Sequence, residues 1–397
     1  MKNRDIIVTS LQSWDSEIGS NSFNIAREFA RFNRVVYVNR APERGTVVMN
    51  FFNRLRGKKG KPNGVKKEAM YLAEPNLWVF TPSTVLESIN PLPPFLYDFF
   101  ARINARRFAG DIRKACQELG FRDPVLFVDN DFFRAYRLTD YLSVSLFIYY
   151  IRDFLLTQPY FRKHGTRVEA AVIRAAGQVV ANSSYLAAYG EKFNKRSVDI
   201  GQGCDFTHFD PSRTYTPNSF YKQLKGPVIG YVGALVHYRL DLPLIESLAA
   251  RRTDLNWVFV GPADDIFSAS TLHQMSHVYF AGRKEEKELA SWVEGFDVCI
   301  NPQLINEVTV GNYPRKVDEY LIMGKPVVAT YTAFMQSFLP WVYLATGADE
   351  YNSALDKAIA EAGTPELISG RKAFAASHTW EASVQKIYES LNDRKDA

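Results

Sequence analysis

Cysteine is scarce in this 397-residue chain, and what there is has no metal or disulfide spacing. Cys116, Cys204 and Cys299 stand far apart, with no C-x-x-C pair. The sequence therefore favours neither a disulfide framework nor a zinc ribbon, and a reducing cytosol suits it best. The apolar run near the start, Ile6 to Val8, is far too brief for a signal peptide.

Long apolar runs and an extreme composition are missing as well. The stretch 326–348 is uncharged for 23 residues, but its threonines, serine, glutamine and prolines predict strand, loop and strand rather than a membrane span. With 46% hydrophobic, 14% aromatic and 23% charged residues, the composition excludes intrinsic disorder, collagen and coiled coil. The length predicts two or three domains.

Basic and acidic residues are nearly balanced in total but are unevenly distributed along the chain. The net charge is +5, yet residues 1–216 carry 31 basic and 21 acidic side chains, and residues 217–397 carry 17 basic and 22 acidic. The segment Arg54 to Lys67 holds seven basic residues and no acidic one, among several glycines. We expect it to be a loop, and we expect the two halves of the chain to face different partners.

Short apolar runs alternate with helical periodicity through both halves of the chain. Strands are predicted at Asp5 to Ser10 and Val35 to Val38 with a helix between them, and the pattern restarts at Val228 to Val232. This alternation predicts an α/β fold with two parallel-sheet domains. The expected boundaries are 1–206 for the first domain, 207–227 for a linker, 228–376 for the second domain and 377–397 for a closing helix.

The most informative stretch runs from Asn306 to Thr330. A loop of small and polar residues that includes Asn312 leads into a helix beginning near Pro314 or Arg315. A helix N-terminus offers unpaired N–H groups and a positive dipole end, which suit a diphosphate, and Lys316 adds a full charge. Glu319, one turn on, is placed to accept two hydroxyl hydrogens from a ribose.

This stretch resembles the donor-binding segment of GT-B glycosyltransferases, and more narrowly family 4 with its bacterial capsule and teichuronic-acid-type members. Four further segments agree in the same order: Ile200-Gly-Gln-Gly-Cys-Asp205, Ile229-Gly-Tyr-Val-Gly233, Val258-Phe-Val-Gly261-Pro, and Phe280-x-Gly282-Arg283 with Asp297 to Pro302. The resemblance is close in the second half and loose in the first. It implies the GT-B fold, two Rossmann-like domains facing across a cleft, and sugar transfer from a nucleotide donor with retention.

Two positions depart from the family pattern. The first carboxylate of the usual Glu-x7-Glu pair is replaced by Gly311, and Ala234 stands in the place of an arginine, with Arg239 near the place of a lysine. These departures leave the donor sugar undefined. The resemblance assigns Gly233, Arg239, Arg283, Asn312, Lys316 and Glu319 to the nucleotide sugar, together with Gly19 in the loop after the first strand.

In the first domain, Asp129 and Asp153 follow predicted strands and could orient an acceptor hydroxyl or act as base. Either could equally be a capping or turn residue. Asp129-Asn-Asp131 also matches the D-x-D metal motif of the other large glycosyltransferase fold, but the paired α/β domains argue against that interpretation. His273 and His277 could hold a metal only with a third ligand, which is not evident. We therefore expect no bound metal and no cofactor beyond the NDP-sugar donor, with Asp153, Asp129 and Lys316 as the catalytic candidates.

The basic first half, with aromatics beside the 54–67 run and through 89–115, suits an anionic membrane surface better than nucleic acid. We expect a cytoplasmic protein, peripheral at the inner face of the cell membrane, that acts on a glycolipid or polysaccharide acceptor. Two alternatives stay open: a nucleotide-sugar 2-epimerase of the same fold, and a non-catalytic nucleotide-binding partner subunit.

Overall fold

The structure, a computed structural model, describes residues 1–16, 20–55, 68–307, 309–311 and 313–392, and it divides into two compact units. Unit 1 comprises residues 1–201 and the chain from Ser383 onward, and unit 2 comprises residues 202–382. Unit 1 therefore ends earlier than the predicted limit at residue 206.

Unit 1 is built on an eight-stranded sheet with the order β3-β4-β2-β1-β5-β6-β7-β8. Every neighbouring pair is parallel except β3 and β4, which are antiparallel. The strands are β1 (Asp5–Ser10), β2 (Arg34–Val38), β3 (Met70–Glu74), β4 (Leu77–Phe80), β5 (Val125–Asp129), β6 (Leu146–Ile151), β7 (Gln178–Ala181) and β8 (Ser197–Asp199).

Helices cover this sheet, and its central strands are buried on both faces, as parallel strands in α/β proteins are. The helices are α1 (Asn21–Ala30), α2 (Arg44–Leu55), α3 (Pro94–Glu118), α4 (Phe132–Ala135), α5 (Pro159–Ala175) and α6 (Ser184–Glu191). Helix α6 is capped at its N-terminus, where the Ser183 side chain accepts a hydrogen bond from the Leu186 N–H.

Unit 2 contains a six-stranded, fully parallel sheet with the order β11-β10-β9-β12-β13-β14. Its strands are β9 (Val228–Val232), β10 (Asn256–Val260), β11 (Val278–Gly282), β12 (Val298–Asn301), β13 (Val327–Thr330) and β14 (Val342–Ala345). Its helices are α7 (Leu242–Arg251), α8 (Asp265–Ser268), α9 (Glu286–Glu294), α10 (Arg315–Ile322), α11 (Ala348–Glu361) and α12 (Pro365–Ala376). The uncharged stretch 326–348 is strand, 3-10 turn and strand, as predicted.

The closing helix, α13 (Trp380–Asn392), carries the chain back into unit 1. There the Tyr388 hydroxyl accepts a hydrogen bond from Asn33 Nδ2 at 3.2 Å, and the Tyr388 ring stacks on Phe29 with centroids 6.1 Å apart. Buried aromatic contact thus fixes the end of the described chain in the first unit.

Several elements differ from the sequence-based expectation. The loop predicted from Arg54 to Lys67 was wrong for its first two residues, which end helix α2. Residues 56–67 lie outside the described part of the chain. Helix α5 begins with Pro159, since a proline is well tolerated at the first helical position. Helix α12 was not predicted, and its weak amphipathic pattern explains why.

Candidate active site

The first strand of the unit 2 sheet ends at a glycine that lies against a lysine of α10. Gly233 follows β9 with φ +144°, and its N–H donates to the Val260 carbonyl at 2.9 Å. A Cβ atom at this position would lie 2.4 Å from Lys316 Nζ. A glycine therefore permits both the backbone conformation and the close approach of the Lys316 ammonium.

Lys316, in the first turn of α10, is held by an aromatic side chain of β9. Its Nζ donates to the Tyr231 hydroxyl at 2.5 Å and lies 4.3 Å from the centroid of the same ring. Pro314, the N-cap of α10, provides no side-chain cap for the first turn. The positive end of the helix and the Lys316 charge thus coincide, which suits an anion such as a diphosphate.

Glu319 lies one turn further along α10. Its side chain is 21% exposed and approaches Arg315 only to 4.0 Å, and among the described residues it forms no hydrogen bond. Burial raises the pKa of the Glu319 carboxyl above its ordinary value, partly offset by Arg315 and Lys316. The carboxylate is therefore open to a ligand that donates hydrogen bonds.

The loop that follows β9 is hydrogen-bonded to the loop that follows β12. The Leu304 N–H donates to the Arg239 carbonyl at 2.8 Å, and Asn306 Nδ2 donates to the Tyr238 carbonyl at 2.9 Å. Within the second loop, the Thr309 carbonyl accepts from Gln303 Nε2 at 2.6 Å. The backbone of the exposed Arg239 is thereby fixed at the same sheet edge as Gly233.

The N-terminus of α10 is anchored by a fully buried carboxylate that sequence reasoning missed. Asp318 accepts from the Tyr313 hydroxyl at 2.7 Å and from the Cys204 thiol at 3.1 Å, and it lies 2.7 Å from His378 Nδ1. Burial and the Asp318 charge raise the pKa of the Cys204 thiol, which therefore stays protonated as a donor. Only the tertiary structure shows this role, since the sequence Asp318-Glu319 is typical of an exposed acidic pair on a helix.

The remaining candidate residues of the second half of the chain are exposed, lie in a turn or fall outside the described residues. Arg283 follows β11, is exposed and forms no ion pair within the described part of the chain. Ala234 is exposed after Gly233, and Gly311 is buried in the turn before α10. Asn312 and, in the first half, Gly19 lie outside the described residues.

In unit 1 a buried ion pair occupies the carboxyl ends of β5 and β6. Asp129, the last residue of β5, is fully buried and accepts from the Ser10 hydroxyl at 2.9 Å, and its Oδ2 lies 3.2 Å from Arg152 Nη1. Burial raises the pKa of the Asp129 carboxyl, against the lowering effect of Arg152. The same Arg152 Nη1 donates to Ser20 Oγ at 2.7 Å, just ahead of α1.

Asp153, the other carboxylate on Arg152, reaches solvent. Its side chain is 50% exposed, and its Oδ2 lies 3.2 Å from Arg152 Nε. Asn130, in the left-handed conformation at φ +55°, accepts from the N–H groups of Arg152 and Asp153 at 2.6 and 3.1 Å. The two candidates therefore differ in kind: Asp129 is a buried charge partner, and Asp153 is the one that a ligand can reach.

The alternative metal ligands are otherwise occupied. Asp131 caps α4 and pairs with Arg134 at 2.9 Å, His277 Nε2 lies 2.9 Å from the Ala249 carbonyl, and the His273 ring stacks on Phe280 at 4.0 Å. Over the part of the chain that the structure describes, no three His, Cys, Asp or Glu side chains are grouped to hold a metal ion. The D-x-D interpretation therefore finds no support at Asp129 to Asp131.

Comparisons with known proteins agree with this geometry. Residues 226–340, most of the sheet of unit 2, match the family model described as "Glycosyl transferases group 1". The sequence is 24% identical over 254 residues to the putative teichuronic acid biosynthesis glycosyltransferase TuaH of Bacillus subtilis. That match covers 61% of this chain and 63% of TuaH, just under two thirds of the relative's length.

Solved glycosyltransferase structures share the fold over nearly the whole chain. Sucrose-phosphate synthase from Thermosynechococcus elongatus gives a TM-score of 0.67 at 14% identity, covering 99% of this chain and 100% of the other. HepE from Anabaena, solved in complex with UDP, gives 0.64 at 16% identity, covering 98% and 100%. The α/β fold is thus the GT-B fold of these structures, and residues 226–340 are similar to the group 1 glycosyltransferases.

The two carboxylates on Arg152 predict opposite responses to the same substitution. Asp129→Asn leaves a buried arginine without its buried partner, and we expect it to lower the free energy of unfolding by about 3 kcal/mol. Asp153→Asn removes an exposed charge, and we expect a change of at most about 1 kcal/mol. Urea titration of both variants checks this, and equal losses would contradict the assignment of Asp129 as the structural partner.

Proposed function

We propose that this protein transfers a sugar from a UDP- or GDP-linked donor to a lipid-linked or polysaccharide acceptor, with retention at the anomeric carbon and without a metal ion. The observation that carries the proposal is the first turn and a half of α10. One short helix presents an uncapped N-terminus, the Lys316 ammonium and the Glu319 carboxylate. Diphosphate and ribose diol call for that combination of charges and acceptors.

In this reaction the donor diphosphate lies at the N-terminus of α10. Lys316, oriented by Tyr231, stabilises the charge that grows on the diphosphate as the sugar–oxygen bond breaks. Glu319 accepts hydrogen bonds from the ribose hydroxyls, and Arg239 and Arg283 belong to the same nucleotide-sugar surface, with Gly233 giving the diphosphate access. Asn312, outside the described residues, keeps its predicted role in binding the nucleotide sugar. The complexes of HepE with UDP and with UDP-glucose support a nucleotide-sugar donor.

Unit 1 provides the acceptor side of the proposal. Asp153, exposed at the end of β6 and held by Asn130 and Arg152, orients the acceptor hydroxyl, and Asp129 positions Arg152. With retention, the hydroxyl approaches from the side of the leaving group, so the departing diphosphate can take its proton. Gly19, outside the described residues, keeps its predicted role in binding the nucleotide sugar.

We further propose that unit 1 contacts an anionic membrane at the cytoplasmic face. On α3, Phe95 and Phe99 are 71% and 60% exposed, and Arg102 and Arg106 continue the same helical face without ion pairs in the described chain. An apolar patch followed by free cations suits the boundary between acyl chains and anionic headgroups. Among the described helices, none combines the length and apolar character needed to span a membrane.

Glu319→Gln tests the ribose assignment. The amide keeps the volume but removes a charged acceptor, so the dissociation constant for UDP or GDP should rise at least tenfold, as two charge-assisted hydrogen bonds imply. Titration calorimetry measures it, with Glu366→Gln, an exposed glutamate on α12, as the matched control. Unchanged affinity in Glu319→Gln would refute the assignment.

Sugar transfer should continue when divalent metal ions are chelated. Because Lys316 and the helix N-terminus take the diphosphate charge, EDTA should leave the rate of sugar transfer unchanged within twofold, and added Mg²⁺ or Mn²⁺ should not raise it. Product analysis in the same assay identifies the anomeric configuration. Loss of activity with EDTA that Mg²⁺ restores would overturn the metal-free mechanism, and a 2-epimerised nucleotide sugar formed without acceptor would overturn transfer.

Membrane contact predicts charge-dependent pelleting. The protein should sediment with anionic liposomes at low salt and be released by high salt, because the attraction is screened. Replacing Lys58, Lys59 and Lys61, in the basic run outside the described residues, with Glu should abolish sedimentation, and replacing Lys222, Lys225 and Lys287 of unit 2 with Glu is the matched control. Equal sedimentation with neutral liposomes would contradict the electrostatic part.

A further inference from the structure

Helix α3 of unit 1 contains a glycine that neither its backbone nor its packing requires. Gly110 lies well inside the 25-residue helix and does not adopt a positive φ. Apart from the helix backbone, a Cβ atom added there would approach only Arg113 Nη2 among the described residues, at 4.0 Å. Glycine destabilises the interior of a helix relative to alanine, so its presence here indicates a different requirement.

Four basic side chains surround Gly110, one turn before it and one turn after it. Positions three and four residues away are the neighbours of a residue on a helix surface, and α3 carries at those positions Arg106, Arg107, Arg113 and Lys114. All four are exposed. Together with Gly110 they line a cleft of about 460 Å³. The glycine therefore leaves the helix backbone uncovered between four cations.

Two of the guanidinium groups in this cleft are held in place by other parts of unit 1. Arg107 Nη1 donates to Glu87 Oε1 at 2.9 Å, and Arg113 Nη1 donates to the Tyr141 carbonyl. Donors that are already ordered lose less conformational freedom when a ligand binds. A guanidinium group is also the side chain that best matches the oxygens of a phosphate.

Positive charge exceeds negative charge in the cleft. Asp111, a carboxylate on its wall, is buried and accepts from the Thr84 N–H at 2.9 Å. Glu87 divides its charge between Arg107 and Arg44. Within the described part of the chain, no ion pair is formed by the other three cations, Arg106, Arg113 and Lys114. The cleft therefore favours a ligand with more than one negative charge.

We propose that this cleft binds a phosphate group, which lies over the backbone of Gly110 and between the four cations. Phosphate monoesters and diphosphates carry more than one negative charge, and their oxygens accept hydrogen bonds from arginine and lysine. A side chain at position 110 would hold the phosphate away from the middle of the four cations, which explains the glycine. The phosphate can belong to an anionic lipid headgroup or to a soluble compound.

The side of α3 that carries Gly110 favours a lipid as the source of the phosphate. Phe99 and Phe95 precede Gly110 by 11 and 15 residues, close to three and four helical turns, and they are 60% and 71% exposed. At 1.5 Å per residue, Phe99 lies about 16 Å from Gly110 along the helix axis. Apolar rings for acyl chains and cations for a headgroup thus share one side of the helix. The lipid source rests on the membrane contact under the proposed function, and the phosphate site itself does not.

Titration calorimetry on the full-length protein tests the cleft, with excess UDP present to occupy the proposed donor site. The probes are inorganic pyrophosphate and dihexanoyl phosphatidic acid below its micelle concentration, with dihexanoyl phosphatidylcholine as the zwitterionic comparison. Gly110→Leu covers the backbone, and we expect it to lower the affinity for the phosphate probe at least tenfold. The double variant Arg106→Gln and Lys114→Gln removes two charged donors and should cause a loss of the same size.

The controls separate the site from the stability of the helix. Gly110→Ala should raise the melting temperature, because the position has room for a methyl group and alanine is the better helix former. Ala175→Leu, which adds the same side chain at an exposed position of α5, should keep the wild-type affinity. So should the double variant Lys222→Gln and Lys225→Gln, which removes two exposed charges from unit 2.

The two probes also identify the source of the phosphate. Phosphatidic acid that binds at least tenfold more tightly than pyrophosphate assigns the cleft to a lipid headgroup, and any smaller difference assigns it to a soluble phosphate compound. The proposal would be overturned if neither probe bound, if phosphatidylcholine bound as tightly as phosphatidic acid, or if Gly110→Leu kept the wild-type affinity. A lower melting temperature of Gly110→Ala, or an equal loss of affinity in the controls, would overturn it as well.

Failure of this site can be distinguished from failure of the proposed function. Titration of the wild type with UDP and GDP alone reports on the donor site. Sedimentation with liposomes reports on membrane contact, which the basic run 54–67 is expected to provide even without the cleft. The soluble probes report on the cleft around Gly110 in the absence of a membrane.

Discussion

Parallel pairing around the first strand of each sheet is the constraint on which both candidate sites depend. In unit 1, β1 lies between β2 and β5, and in unit 2, β9 lies between β10 and β12. A parallel sheet brings the carboxyl ends of neighbouring strands to one edge. The loops that follow the central first strand and its two neighbours therefore lie next to one another at that edge. Residues far apart in sequence, such as Ser10 and Asp129, or Tyr231 and Lys316, meet at that edge for this reason.

Buried charges at these edges are each matched, and the matching determines which groups a ligand can reach. Asp318 satisfies three donors under α10, so the helix N-terminus is fixed while Lys316 and Glu319 stay accessible. Asp129 is the fully buried partner of Arg152, and Asp153, its second partner, is half exposed to solvent. An exposed carboxylate beside a buried one thus differs from it in desolvation: the buried charge needs its partner more than the exposed one does.

Much of the fold could be predicted because a strand buried on both faces is a short continuous apolar run. The strands predicted at 5–10, 35–38 and 228–232 are of this kind, and they are present where expected within a residue. Helices α2 and α12 were missed, because α2 leaves Val47, Val48 and Met49 exposed and α12 has little amphipathic contrast. The periodicity of apolar residues in a sequence reflects which face of a helix or strand is buried. An element that buries little apolar surface therefore has only a weak periodic pattern.

Part of the candidate site could likewise be predicted from the sequence, and part of it could not. By itself the sequence determined the GT-B class and the positions of Lys316 and Glu319 on α10, because that helix is local and its spacing fixes which side chains share a turn. Only the tertiary structure decided that Tyr231 holds Lys316, that Asp318 and His378 anchor the helix, and that Asp129 is buried while Asp153 is exposed. The first two contacts join residues 85 and 60 positions apart. The strength of all of them depends on burial, which no local pattern of residue types encodes.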